Sequence, residues 1–287
     1  MLKVVEDSRE TTITSSRMYV SVPINKADNI AIRLKRIFEE ELRLEDSILI
    51  SYNPSVITKL SYYLSGQISR PASIGIAGET ASGKSTITLD IIDTILSFAK
   101  EYDLENVITR VNTDDYYYDR SQMVKEAGSF AEFAKHYDLD VPHALELELM
   151  SKHIKELLSG RQVFLPKYDM SGTAMRYDNH TLAKPSKIIV AEGLYTFNEQ
   201  INSSFDIKIY VDIDGSIQKT RWYRRAKERD LGDSADRVYT NAAEKAKFYI
   251  RPTKACADII INGEAKISDY DLFFKKLTDI LIRIHNN

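Results

Sequence analysis

Gly78-Glu79-Thr80-Ala81-Ser82-Gly83-Lys84-Ser85-Thr86 is the stretch on which the fold of this chain turns. It satisfies G-x-x-x-x-G-K-[ST], a loop whose backbone N–H groups cradle nucleotide phosphates. Before it stands Ala72-Ser-Ile-Gly-Ile-Ala77, short, apolar and β-leaning. After it Ile87, Ile91, Ile95 and Phe98 recur at helical spacing. Strand, loop and helix in that order aim the loop amides and a helix N-terminus at an anion. Lys84 is then expected to reach the outer phosphates and the Ser85 hydroxyl to ligate Mg²⁺, with residues 78–86 as the nucleotide cradle.

The 287 residues allow one large domain or one domain with a smaller addition. A net charge of −3 gives no basic field for nucleic acid or an anionic membrane. No apolar run approaches the ~18 residues of a membrane span, and the first residues lack a signal-peptide core. Cys256 is the single cysteine, which excludes an internal disulfide and suits a reducing cytosol.

Working outward from the loop, β-rich apolar runs fall at 72–77, 107–112, 187–191, 206–212 and 257–262. Helical patterns lie at 84–101, 144–158, 216–230, 235–249 and 269–285. Such alternation predicts an α/β fold, a parallel sheet with helices on both faces, over residues 71–287. Gln162 to Tyr168 reads as an extra edge strand. Residues 1–70 read as a small helical addition: Ile30, Leu34, Ile37, Phe38 and Leu42 share one stripe, and Asn53-Pro54 opens a second helix that Gly66 ends. Packing on the main domain is the plain role for that segment.

Phosphoryl transfer to a hydroxyl needs a phosphate cradle, a metal, a base and cationic charge near the transferring group. In open α/β sheets these gather beyond the carboxyl ends of the strands. Asn112-Thr-Asp114-Asp115-Tyr116-Tyr117-Tyr118 follows the second strand and offers two carboxylates beside aromatics; the alternative is an exposed polar turn. Glu192 closes an apolar strand, either as a metal contact or as a helix cap. Arg221, Arg225 and Arg229 share a helix face, as a lid over phosphates or as a solvated basic surface. His136, His143 and His153 lack metal-ligand spacing and read as solvent or packing histidines, and Cys256 as structural.

In order along the chain these motifs resemble the uridine kinase and phosphoribulokinase superfamily over residues 71–285. Thr113-Asp114-Asp115-Tyr116-Tyr117 is similar to its Gln-Asp-Ser-Tyr-Tyr segment. The resemblance implies Asp114 as catalytic base, with Asp115 and Tyr117 at the acceptor. Asp140-Val-Pro142-His-Ala144 resembles Asp-His-Pro-Asp-Ala, whose first Asp holds ribose hydroxyls. Pro166-Lys-Tyr168-Asp169 resembles the segment that touches the base, and Ala191-Glu192-Gly193 the Glu-Gly near Mg²⁺. Pro252-Thr-Lys254-Ala-Cys-Ala257-Asp258 matches Pro-Thr-Lys-x-x-Ala-Asp. Three features depart. The base-reading His is Thr173 here, with the following Arg one place late at Arg176, and the lid's Arg-Gly-Arg is shortened near Arg229.

The resemblance implies an ATP- and Mg²⁺-dependent kinase of a small acceptor, with the 5′-hydroxyl of a nucleoside as the leading candidate. Asp140, Tyr117, Tyr168 and Arg176 would position the acceptor. Lys84, Arg225 and Arg229 would stabilise the transferring group, and Arg221 would hold the nucleotide. A sugar, glycerate or pantothenate acceptor, and a nucleotide-binding regulator without turnover, stay open. So does a homo-oligomeric state.

Overall fold

The computed structural model describes residues 4–7, 10–15, 18–22, 26–42, 48–101, 103–229, 231–266, 268–270 and 272–275. Strands β1 (Val4–Asp7), β2 (Glu10–Ser15) and β3 (Met18–Val22) form a separate antiparallel meander. Helix α1 (Lys26–Arg36) runs into a π turn over 37–41. Strand β4 (Leu49–Tyr52) and helix α2 (Ser55–Leu64) follow. The first turn of α2 is set by Asn53, whose Oδ1 accepts from the Ser55 N–H at 3.0 Å, and Gly66 ends the segment at φ 78°.

Next come β5 (Ala72–Gly78), α3 (Lys84–Glu101) and β6 (Ile108–Asn112). Then come α4 (Ser121–Ala127), α5 (Phe130–His136) and α6 (Leu147–Leu158). A hairpin of β7 (Val163–Tyr168) and β8 (Arg176–Ala183) precedes β9 (Ile188–Gly193) and β10 (Ile207–Asp212). Helices α7 (Gly215–Glu228) and α8 (Ala235–Tyr249), a 3₁₀ turn over Arg251–Cys256 and β11 (Ile259–Asn262) complete the described elements.

The main sheet has the order β4-β11-β10-β5-β9-β6. All its pairs are parallel except β4 on β11. Successive side chains of a strand point to opposite faces, so the sheet feeds two cores. Ile76, Val190, Ile209, Val211 and Ile261 join a core with α1, α2 and α3. Ala77, Ile189, Ala191 and Tyr210 join the core on the other face, with α6, α8 and the hairpin. Strands buried on both faces read as continuous apolar runs, which explains why the sequence located them so well.

Three expectations change. The first seventy residues contain four strands besides the two expected helices, and β4 extends the main sheet. Residues 163–168 are no edge strand of that sheet; they pair with β8 in their own antiparallel ribbon. The helix expected over 144–158 begins at Leu147, because Pro142–Ala144 forms a 3₁₀ turn first. Of the helix expected over 269–285, positions beyond 275 lie outside the described residues, as does Asp230.

Candidate active site

The phosphate loop leaves β5 at Gly78 and enters α3 at Lys84, as its spacing requires. Gly83 adopts φ 98°, a conformation cheap only for glycine. Lys84 Nζ donates to the Glu79 carbonyl at 3.2 Å. Burial of its ammonium pulls the pKa down, while Asp114, Glu192 and Glu79 pull it up. The loop is braced from outside. Gln218 on α7 donates to the Thr80 carbonyl at 3.0 Å, and Arg251 grips both Glu79 carboxylate oxygens at 2.7 and 3.1 Å. At the loop's mouth a cavity of about 410 Å³ is lined by residues that include Ala81, Lys84, Ser85, Arg221, Arg225 and Tyr270. Arg221 is fixed there by donating to the Gly263 carbonyl at 2.6 Å. A Cβ at Gly263 would stand 2.1 Å from the Ser82 carbonyl oxygen, so glycine is required at that turn. Arg229 caps the end of α7, exposed and outside this cavity lining.

Asp114 sits on a 3₁₀ turn over Thr113–Tyr116, where Asn112 Oδ1 accepts its N–H at 3.2 Å. Buried Thr113 donates to the Glu192 carbonyl at 2.6 Å and so ties the ends of β6 and β9 together. That approach depends on Gly193, at φ 154°, where a Cβ would fall 2.3 Å from the Thr113 Cβ. Asp114 therefore emerges beside the loop lysine. Burial raises its pKa above the ordinary carboxylate value, the Lys84 charge opposes this, Glu192 and Asp115 reinforce it, and Arg225 again opposes. Glu192 is only 3% exposed. One of its oxygens pairs with Arg110, and the other has no hydrogen-bond partner among the described residues.

The residues expected at the acceptor lie beyond Asp114 and are mostly buried or paired side chains. Tyr117 and Tyr168 pack with ring centroids 5.1 Å apart. Burial holds the Tyr117 phenol far above its usual pKa and pushes Tyr168 up to about 12. The Tyr168 hydroxyl is sealed from solvent and without a partner among the described residues. Asp140 lies near Tyr117 and Tyr195, its pKa raised by burial. Asp115 is engaged by the hairpin, accepting from Lys167 at 3.0 Å and from the Tyr168 N–H at 3.2 Å. Arg176 is ion-paired with Glu146 at 2.9 Å and with Asp178 at 2.7 Å. Thr173 spends its hydroxyl on Asp169 at 2.6 Å within the exposed hairpin loop. His153 packs under Tyr116, 3.0 Å from its hydroxyl. Cys256, expected to be structural, is exposed.

The structure thus brings Lys84, Asp114, Glu192 and Arg225 close enough for their charges to act on one another. Arg110, Gln218, Arg251 and Gly263 escaped the sequence reading. Only Gly263, in an Asn-Gly pair after a strand, carried a turn signal.

The profile of the Phosphoribulokinase / Uridine kinase family matches residues 73–268. The chain belongs to that family. A uridine kinase of Clostridium tetani is 36% identical over 205 residues, covering 69% of this chain and 91% of its own. A uridine kinase of Lactobacillus helveticus is 34% identical over 227 residues, covering 75% of this chain and 98% of its own. Among solved structures, a D-glycerate 3-kinase from Cryptococcus neoformans var. grubii superposes with a TM-score of 0.50 at 14% identity, covering 74% of this chain and 94% of that one, a likeness of fold. The chain is accordingly a phosphotransferase that acts on an alcohol group of a small molecule, built as a P-loop kinase. No helix among the described residues is long and apolar enough to cross a membrane.

Proposed function

We propose that the protein transfers the γ-phosphoryl group of ATP to the 5′-hydroxyl of a nucleoside. The observation that carries this reading is the run of buried groups beside the phosphate loop: Lys84 and Asp114 interact electrostatically, Asp114 and Asp140 both act on Tyr117, and Tyr117 packs on Tyr168, whose buried hydroxyl has no partner among the described residues. An aromatic face with one unsatisfied polar tip suits a flat heterocycle that carries hydrogen-bonding edges. The charges support a neutral acceptor over an acid or a phosphate ester. Lys167, Arg176 and Lys245 are each already paired with a carboxylate, and Arg120 is held between the rings of Tyr118 and Tyr137.

In this reading the amides of 78–86 and Lys84 hold the phosphates. Asp114 accepts the proton of the attacking hydroxyl, and its burial beside Lys84 tunes it toward that task. Asp140 accepts hydrogen bonds from the acceptor's other hydroxyls. Arg221 steadies the nucleotide while Arg225 and Arg229 add positive charge as the lid closes. Ser85 and the free oxygen of Glu192 fit a Mg²⁺ ion, since a kinase binds this metal with one or two protein oxygens plus phosphates. The ion would neutralise charge on the phosphates. Among the described residues no cluster of three His, Cys, Asp or Glu side chains offers a rival metal site.

Thr173 does not replace the base-reading histidine, because its hydroxyl is taken by Asp169. That favours a sugar as the second reading. Incubation with Mg·ATP and separate nucleosides, sugars, glycerate and pantothenate, read as acceptor-dependent ADP release, discriminates between them. Nucleoside-dependent release is expected. Release with a sugar or an acid alone would replace the nucleoside, and nucleotide binding without turnover on any acceptor would leave a regulatory protein.

A further inference from the structure

Asp138 and Asp140 stand two residues apart on the loop between α5 and α6, and α8 meets both. Lys245 Nζ lies 2.7 Å from an Asp138 oxygen. Asn241 Nδ2 lies 3.1 Å from Asp140 Oδ2 and 3.4 Å from Asp138 Oδ1. Asp138 Oδ1 also accepts the Asp140 N–H at 2.9 Å, so the loop is a closed turn clamped from one side. Asn241 and Lys245 are four residues apart and share a helix face. The same helix is anchored to the phosphate side through Tyr239, whose hydroxyl reaches Gln218 at 3.4 Å, and Gln218 in turn reaches the Thr80 carbonyl.

We propose that Asn241 and Lys245 are positioning residues for the acceptor: Lys245 holds Asp138, Asn241 holds Asp140 Oδ2, and together they fix the Asp138–Asp140 turn. The proposal rests on the acceptor role given to Asp140 above. Two carboxylates this close repel, and a buried one gains protons unless it is donated to. The titratable groups facing Asp140 are Asp138 from its own loop, Lys245 from α8, Tyr117 from the loop after β6 and Tyr195 from the loop after β9. Burial raises the Asp140 pKa, Asn241 and Lys245 lower it, and Asp138 raises it. Removing either donor therefore moves Asp140 toward its neutral form at a higher pH.

The test compares Asn241→Ala and Lys245→Met with the parent, and includes Asn241→Gln as the conservative variant. With uridine and Mg·ATP, the expected result is an acceptor KM at least about 10-fold higher, with the KM for ATP within about twofold. The acid limb of kcat/KM for uridine should move to higher pH, and Asn241→Gln should restore part of the loss. A second readout needs no acceptor: carboxyl-¹³C aspartate NMR of the free protein, with Asp140 assigned through Asp140→Asn, should show its titration midpoint rising in both variants. If that midpoint rises while no nucleoside is phosphorylated, the positioning role stands and the nucleoside reading falls. An unmoved midpoint in two folded variants, or an unmoved acceptor KM in a protein that does turn over uridine, overturns the proposal.

Discussion

The two halves of the proposed active site are built from different materials. The phosphate half is mostly backbone: loop amides, Gly83 at φ 98°, and Gly263 where a Cβ would collide with the Ser82 carbonyl. The proposed acceptor half is mostly side chain: Tyr117, Tyr168 and Asp140, with the Lys167–Asp115 and Lys245–Asp138 ion pairs beside them. Phosphate is the same in every nucleotide, so a backbone cradle serves and its glycines leave a fixed spacing. Acceptors differ, and side chains on loops change without disturbing the sheet. Damage to the acceptor half should thus leave nucleotide binding intact.

The sharpest break of that comparison is Asp114→Asn. Turnover should fall by at least about 10²-fold while ATP titrated calorimetrically still binds. Near-normal turnover would remove Asp114 from the base role. Next comes Asp140→Asn, expected to raise the acceptor KM about 10- to 100-fold with little change toward ATP. A matched loss on both substrates would erase the division into halves.

Gly193→Ala strikes the joint between the halves, since the added methyl must occupy the space of Thr113 at φ 154°. A loss of about 1–3 kcal/mol in denaturant stability is expected, together with lower turnover. A smaller effect is a displaced pH profile. In the proposed base role Asp114 must be ionised, and burial has raised its pKa. Turnover should therefore fail on the acid side at a pH above that of an ordinary aspartate. Arg225 lowers that pKa, so Arg225→Met should move the acid limb to higher pH, as kcat measured across pH would read. The mildest is Lys59→Met. Lys59 on α2 pairs with Asp258 at 2.7 Å, and the lysine side chain is 35% exposed. Because the Asp258 side chain is only 6% exposed, a loss of about 1–2 kcal/mol in stability is expected, with kinetics unchanged in both halves.

Legibility in the sequence followed the same division. Buried parallel strands are long apolar runs, and the loop motif fixes nine positions, so β5, α3, β9 and β10 were visible in the sequence. Asp114 and Glu192 were visible because one follows a strand and the other stands at a strand's carboxyl end. Helices α4 and α5 have seven residues each, too short for two clear turns of periodicity, and β8 exposes most of its residues, so neither announced itself. The ion pairs of Arg110, Lys167 and Lys245 join residues far apart in sequence, and a single chain carries no local trace of them.

The antiparallel strand at the sheet's margin has a consequence for handling this protein. Strand β11 offers Ile259, Ile260 and Ile261, and β4 covers them through a four-residue strand whose register slips between Ile260 and Ile261. Cutting the chain at the start of the family-matching stretch, residue 73, would strip that cover and bare a sticky isoleucine margin ready to recruit foreign strands. The irregular, brief outer strand blunts the same hazard, so the segment that looks dispensable by motif serves as a guard against clumping.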